Sequence, residues 1–384
     1  MISYFVRYFL LVVVALMSLS TVFVSAQKSP YLSKVYDFQP APGQFVNQIP
    51  EYEPGDTKAD IIRKAEEYLA NNARVMVSLG AWGGYIVFGF DHPVVNKKGH
   101  TDFKVLGNTF QEGGSSEPGI VFVSYDANQN GVPDDEWYEL AGSEYTNPKT
   151  IHNYQIKYYK PSDNHQAVPD PEDRNIIDSE YIRWEDNRGA EGYVKMNVSH
   201  LQTYWPEWMN ETELSFEGTR LPDNYEKLSL VSYYLHAYDW GYADNKPNDD
   251  TATEMNIEWA VDKNGNPVHL DEIHFIKVQT GLNQHCGWIG ESSTEITGAV
   301  DLHPDAETGL ESFQTKDFSF SFDHTTNQLQ IISPSKTTAI IYSITGAKLK
   351  TLAVYPGNTF LSCSDLPKGI YIVAANQDRF KFIR

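Results

Sequence analysis

The sequence predicts an all-β protein: a jelly-roll or β-sandwich main domain with one short N-terminal helix, followed by a small C-terminal β-sandwich. Three observations carry that expectation. Short runs rich in Val, Ile, Phe, Tyr and Thr recur along the chain, bounded by Gly, Asn, Asp and Pro, as strands joined by tight turns require. Only one stretch shows a helical period. Two Asn-Gly dipeptides, Asn130-Gly131 and Asn264-Gly265, fall between strand-like runs, where a hairpin turn needs positive φ.

Length and composition bound the rest. A chain of 384 residues has room for about two domains with their own cores. Its 24 Tyr, 19 Phe and 8 Trp bury enough surface to offset chain entropy, which excludes a disordered chain. The net charge of −21 argues against nucleic acid and anionic membrane surfaces as partners, because both need a basic patch.

In chain order, Arg7 precedes an apolar run over 9–16, and Val24-Ser25-Ala26 places small residues before Gln27. This pattern predicts a secretory signal peptide over 1–26, and hence no transmembrane helix in the mature chain. Residues 27–56, rich in Pro, Gln and Tyr, read as an extended arm. Thr57 and Asp60 form a capping box ahead of Ile61, Ala65, Tyr68 and Leu69 at helical spacing, so the helix runs to about Asn72. The arm and helix together occupy 27–72.

Strand-like runs follow at 75–79, 85–90, 103–106, 119–124, 137–141 and 154–159. After a Pro/Asp/Asn-rich surface excursion over 161–176, they resume at 193–196, 214–216, 228–235, 256–261 and 273–278. The main domain is placed at 73–315. Residues 331–384 hold seven Lys or Arg and only Asp365 and Asp378, a charge of +5; residues 27–330 carry −27. That reversal of sign predicts a separate domain over 325–384 after a linker near 304–317. Cys286 and Cys363 fall in different domains, so a disulfide between them is not expected.

The stretch 125–138 closes a strand pair. Asp126, Asn128 and Asn130 fall at alternate positions before Gly131, with the Val132 carbonyl, Asp134 and Glu136 beyond. This D-x-N-x-N-G run matches the start of a calcium loop. The twelfth position departs, holding Trp137 where a bidentate Glu is usual. A structural calcium ion and a plain Asn-Gly hairpin are both open readings. Asp239, Asp244, Asp249 and Asp250 form a second acidic run, read as a solvated loop or as ligand contacts. Asp91, Asp102 and Glu117 flank strands where a cation could sit.

Candidate ligand-binding residues are aromatics in Gly-flanked sequence: Trp82, Tyr85, Trp240, Tyr242 and Trp288. Exposed rings in loops hold sugars or flat macrocycles at low entropy cost; the alternative is that each ring fills the core. Gly83-Gly84 would let a ligand approach the backbone closely. No H-E-x-x-H or G-x-S-x-G occurs, and no catalytic residue is assigned. A carboxylate pair for glycoside hydrolysis stays open, since it is defined only in three dimensions.

Two resemblances add to this reading. The blocks Ile341-Tyr342-Ser343-Ile344-Thr345-Gly346-Ala347-Lys348 and Leu366-Pro367-Lys368-Gly369-Ile370-Tyr371-Ile372-Val373, with the basic terminus, resemble the type A C-terminal sorting domain of the type IX secretion system of Bacteroidetes. Ser333-Pro334 stands where Asn-Pro is usual. The resemblance implies export by the type IX machinery to the cell surface or medium. Residues 82–93, 102–110, 117–119, 238–245 and 286–303 resemble secreted Bacteroidetes surface proteins with a jelly-roll core, some similar to proteins encoded beside TonB-dependent corrinoid transporters. That likeness implies capture of a cobalamin-like ligand for an outer-membrane transporter. A carbohydrate-binding or carbohydrate-active surface protein, or an adhesin without a small-molecule site, are the other expectations.

Overall fold

The computed structural model describes residues 28–229, 232–306, 319–323, 325–333, 335–375 and 378–384. The expected signal peptide and most of the expected linker lie outside them. The protein is all-β, with multiple antiparallel sheets and, among the described residues, one α-helix. Two compact units divide between Ala306 and Glu307. Among the described residues no helix is long and apolar enough to cross a membrane.

The first unit contains β1 (Lys34–Gln39), helix α1 (Lys58–Leu69), β2 (Val77–Ser78), β3 (Tyr85–Gly89), β4 (Val94–Val95), β5 (Phe103–Leu106), β6 (Gly119–Ser124) and β7 (Trp137–Leu140). It continues through β8 (Ile151–Tyr159), β9 (Ile176–Asp186), β10 (Glu191–Asn197), β11 (Glu213–Arg220), β12 (Tyr225–Ser229) and β13 (Ser232–Leu235). Six further strands complete it: β14 (Glu254–Met255), β15 (Ala260–Val261), β16 (Glu272–Ile273), β17 (Phe275–Thr280), β18 (Glu295–Ile296) and β19 (Gly298–Asp301). Two sheets dominate, a six-stranded β1-β3-β17-β6-β7-β15 and a four-stranded β10-β9-β8-β11.

Helix α1 starts where its sequence says it should. The Thr57 hydroxyl accepts from the Asp60 amide and the Asp60 carboxylate accepts from the Thr57 amide. Two otherwise orphaned donors are thereby satisfied. Ile61, Ala65 and Leu69, four residues apart, form its buried stripe. They join Phe38, Ile86, Phe88, Val121, Val123, Ile276 and Val278 in the main core. Each large apolar side chain buried there contributes about 1.5–3 kcal/mol. A second core under the four-stranded sheet gathers Trp82, Tyr154, Tyr158, Trp205 and Phe216.

Three local expectations are corrected. The arm is not merely extended: Lys34–Gln39 pairs with β3 as an edge strand of the main sheet, and Phe38 is fully buried. Its Val-Tyr-Asp-Phe alternation is too short to stand out among prolines. The run 228–235 is not one strand, because β12 and β13 pair with each other and bring Ser229 opposite Ser232. No Gly, Pro or Asn marks that reversal. The run 256–261 opens as a 3₁₀ turn, since the Asn256 side chain accepts from the Glu258 amide and caps it.

The second unit comprises β20 (Ser319–Asp323), β21 (Gln328–Ser333), β22 (Thr337–Ser343), β23 (Lys348–Val354), β24 (Gly357–Ser362), β25 (Ile370–Ala375) and β26 (Asp378–Ile383). They form sheets β20-β21-β24 and β23-β22-β25-β26. Leu329, Ile331, Ile341, Tyr371, Val373 and Phe382 share its core. Cys286 and Cys363 are both buried free thiols.

Candidate ligand-binding cleft

The six-stranded sheet has two faces with different chemistry. Directly opposed residues on neighbouring strands project to the same side. Asp37 lies opposite Val87, Val87 opposite Lys277, Lys277 opposite Phe122, and Phe122 opposite Glu139. One row thus crosses five residues on five strands. Gln39, Tyr85, Gln279 and Ile120 form the adjacent row. On its other side Ser124 lies opposite Trp137. The alternate residues on these strands build the main core, so a carboxylate, an amine and an amide share the opposite face with aromatic rings.

Strand β11 forms the wall above this face. Ser215, Phe216 and Glu217 bound a cleft of about 310 Å³ together with Asp37, Tyr85, Trp137, Lys277 and Gln279. That volume is at the small end for small-molecule sites. A shallower groove of about 550 Å³ continues from Ser215 and Glu217 across Gln155, Lys157 and Glu185 of the four-stranded sheet. Gln279 ties floor to wall: its Nε2 donates to the Gly83 carbonyl at 2.9 Å and the Glu217 carbonyl at 3.0 Å. Turning the amide over would set its oxygen against two carbonyls, so the orientation is fixed. The Gln279 Oε1 is left buried without a partner.

Lys277 is the centre of the cleft. Its Nζ lies 4.3 Å from the Phe122 ring centroid, 5.4 Å from that of Trp137 and 5.8 Å from that of Tyr85. Such contacts attract the ammonium form. Among the described contacts it has neither a hydrogen-bond acceptor nor a carboxylate in ion-pair range. Burial pushes its pKa down to about 8, with Glu217 and Glu139 pulling the other way. Glu139 is pushed up to about 7 by burial, opposed by the Thr219 hydroxyl it accepts from at 2.6 Å and by Lys277. Asp37 is otherwise engaged, accepting from the Tyr85 hydroxyl at 3.0 Å and pairing with Lys58 at 2.8 Å.

Of the five aromatic candidates, only Tyr85 lines this cleft. Trp82 and Tyr242 are buried, and this corrects their assignment to a ligand surface. Trp82 packs edge-on against Tyr154 at 4.6 Å, and Gly142 packs against the Tyr242 ring. Glycine beside an aromatic here serves internal packing. Trp240 is part-exposed but lies against Trp259, with centroids 4.5 Å apart. Trp288 is half exposed; neither Trp240 nor Trp288 lines the cleft. The structure does not bring the five together. Gly83-Gly84 likewise meets the protein's own chain, namely Phe216, Leu79 and Ala41.

The 125–138 loop does close β6 onto β7. Asp126 is buried and accepts from the Asn130 and Gly131 amides at 3.1 and 2.8 Å. The Asn128 and Asn130 side-chain amides both reach Asp134. Asp126, Asn128, Asn130 and Asp134 are therefore linked in one cluster. Val132 joins it through its backbone, its amide donating to Asn130 Oδ1 at 2.7 Å, but its carbonyl is already engaged; Glu136 is not part of it. The Val132 carbonyl accepts from the Asp134 amide, and Glu136 accepts from the Tyr138 hydroxyl.

A second acidic group lies in the interior. Carboxylate oxygens of Glu117, Asp244 and Glu295 lie within 4.8 Å of one another. Asp244, read from sequence as a loop residue, is buried. Its Oδ1 accepts from the Asn108 amide at 2.9 Å and from the Thr109 amide and hydroxyl at 3.1 and 2.9 Å; its Oδ2 accepts from the Glu295 amide at 2.9 Å. Four donors hold this carboxylate as the charged member. Burial first, then the Asp244 charge, raises Glu295 to about 8, while a hydrogen bond to Glu117 opposes that rise. Glu117 is raised well above its ordinary range by burial and by Glu295. One proton shared between Glu117 and Glu295 satisfies this geometry. Elsewhere in the acidic run, Asp249 accepts from Gln111 and Asp250 caps a 3₁₀ turn.

Sequence reasoning missed Lys277, Gln279, Glu139, Trp137 and Glu217. The available signal was polar Lys and Gln at alternate positions of an otherwise apolar strand, Phe275–Thr280. Compared with protein-family models and with curated proteins, the chain matches none.

Proposed function

We propose that this is a secreted, surface-displayed binding protein that holds a small neutral polar ligand in the Lys277 cleft. The observation that supports this reading is the row Asp37-Val87-Lys277-Phe122-Glu139 beneath the β11 wall. Acids outnumber the single amine there, which disfavours an anion. Ring faces beside carboxylates suit a ligand that presents hydroxyl groups. A saccharide fits this chemistry, and the continuing groove gives room for further units.

The corrinoid reading rests on the likeness of residues 73–303 to surface proteins encoded beside corrinoid transporters. The cleft would admit one peripheral amide arm of such a macrocycle and leave the ring outside. Export by the type IX machinery and delivery to a TonB-dependent transporter rest on the same kind of likeness.

Calorimetry of the mature chain with cobinamide, cobalamin and a panel of mono- and disaccharides tests the proposal. Ser215 is exposed at the junction of cleft and groove, so Ser215→Trp fills the space without disturbing a core. Binding by wild type that weakens at least about 30-fold in Ser215→Trp, some 2 kcal/mol, is expected. Equal affinity in both proteins would remove the ligand from the cleft.

We also propose that the Asp126-Asn128-Asn130-Asp134 cluster binds calcium and stiffens the β6–β7 turn. A ligand that binds only the folded state raises its melting point. Calcium is expected to raise the melting temperature by about 3–6 °C over a chelator-treated sample, as 1–2 kcal/mol does in a unit of this size. Identical melts would leave the plain hairpin.

A further inference from the structure

We propose that Lys277 captures its ligand covalently, as a reversible imine with an aldehyde or ketone; this rests on the cleft reading above. The geometry isolates one primary amine. It lies in a bounded cleft, over three rings, with no acceptor and no paired carboxylate among its described contacts. By contrast Lys58, Lys157 and Lys350 each hold a carboxylate within 3.1 Å. A desolvated, unpaired lysine is the form in which this side chain acts as a nucleophile.

The surroundings supply the remaining chemistry. The Nζ lone pair attacks the carbonyl carbon, the carbonyl oxygen takes one proton and the nitrogen gives one up, leaving a neutral carbinolamine. The hydroxyl then takes a second proton and leaves as water, the nitrogen lone pair forms the C=N bond, and the nitrogen gives up its second proton. Amine plus carbonyl gives imine plus one water, with no change of oxidation state. Water entering the cleft exchanges these protons; Glu139, in the same row beyond Phe122, is engaged by the Thr219 hydroxyl and does not bound the cleft. Glu217 and Asp37 are the acids bounding the cleft, and Tyr85 is the titratable group there besides Lys277. Asp37 already serves Lys58 and Tyr85.

The same features explain selectivity. At pH 7.5 an amine with an ordinary pKa is about 0.1% neutral, whereas one titrating near 8 is about one-quarter neutral. A neutral aldehyde meets no charge penalty on entering a cleft that an anion would.

The experiment uses glyceraldehyde as probe on the full mature protein at pH 7.5, with cyanoborohydride to reduce any imine to a stable secondary amine. Peptide mapping by mass spectrometry then reads the labelling rate of every lysine. Lys277 is expected to label at least about 10-fold faster than Lys58, Lys157 and Lys350. The fast site is expected to vanish in Lys277→Met and to slow at least about 10-fold in Ser215→Trp, which closes the cleft. Lys277 labelling no faster than those three lysines overturns the proposal. Fast labelling that Ser215→Trp leaves unchanged overturns it too, because the reaction would then not need the cleft. Saccharide or corrinoid binding by calorimetry reports separately. If that binding persists and remains sensitive to Ser215→Trp while Lys277 labels slowly, the imine falls and the binding cleft stands.

Discussion

Gly84→Ala is expected to abolish stable folding of the larger unit. A Cβ at Gly84 would stand 1.8 Å from the Leu79 carbonyl oxygen and 2.4 Å from the Ala41 nitrogen. Those two atoms are themselves joined by a 3.0 Å hydrogen bond, so the methyl group would enter the middle of it. Both neighbours are backbone, and neither can turn away as a flexible side chain would. The Gly84 carbonyl also accepts from the Thr280 amide, and its amide donates to the Ala81 carbonyl. Any shift to relieve the overlap therefore disturbs the entry to β3, the arm at Ala41 and the end of β17 together. Losses above about 4–5 kcal/mol are exceptional for one substitution, and a domain has only about 5–15 kcal/mol in total. Gly55→Ala is the control. Gly55 has φ +103° with nothing within 4 Å of an added Cβ, so it reports backbone conformation alone and is expected to cost about 1–2 kcal/mol. Circular-dichroism melts of both variants decide the matter. A Gly84→Ala protein melting within about 3 °C of wild type would mean that the close approach is not obligatory.

That glycine shows where sequence legibility ended. Gly83-Gly84 announced a close approach, and a close approach exists, but to Leu79, Ala41 and Phe216 instead of a ligand. Local signals read well. Helix α1 was marked by Thr57, Asp60 and the Ile61-Ala65-Leu69 stripe; β3, β6 and β17 stood out as branched, aromatic runs bounded by Gly or Asp. Hairpins without turn residues, as between Ser229 and Ser232, carried no such mark. The cleft was illegible for a different reason. Asp37, Tyr85, Lys277 and Glu139 are far apart in the chain and share a face only through strand register. A slip of one residue in β17 would send Lys277 into the core. Ring burial was equally non-local, since Trp82 and Trp288 both have glycine neighbours in sequence, yet one is fully buried and the other half exposed.

The melting temperature is expected to fall as pH rises from about 6.5 to about 8, the reverse of what paired surface carboxylates produce. Burial raises Glu291 to about 7, Glu139 to about 7 and Glu295 to about 8, and raises Glu117 with them. In the unfolded chain each would titrate near 4.3. Between these values the native state binds more protons than the unfolded one, so stability declines with each step upward in pH. Asp244 and Asp102, raised to about 6, begin the decline earlier. His285, pushed down to about 4 by burial, works in the opposite direction, but only up to its ordinary value near 6.5. Lys277, lowered to about 8, begins to oppose the fall above about pH 7, by a few tenths of a kcal/mol at pH 8. The acids therefore dominate the interval from 6.5 to 8. A net loss on the order of 3 kcal/mol corresponds to roughly 6–12 °C in this size class. Glu295→Gln keeps a donor for Glu117 without the shared proton, so its melting curve is expected to flatten across the same interval. A wild-type melting temperature that climbs from pH 6.5 to 8, or a Glu295→Gln protein with the wild-type slope, would mean that the Glu117–Glu295 pair is already ionised in the folded protein and that another charge compensates Asp244.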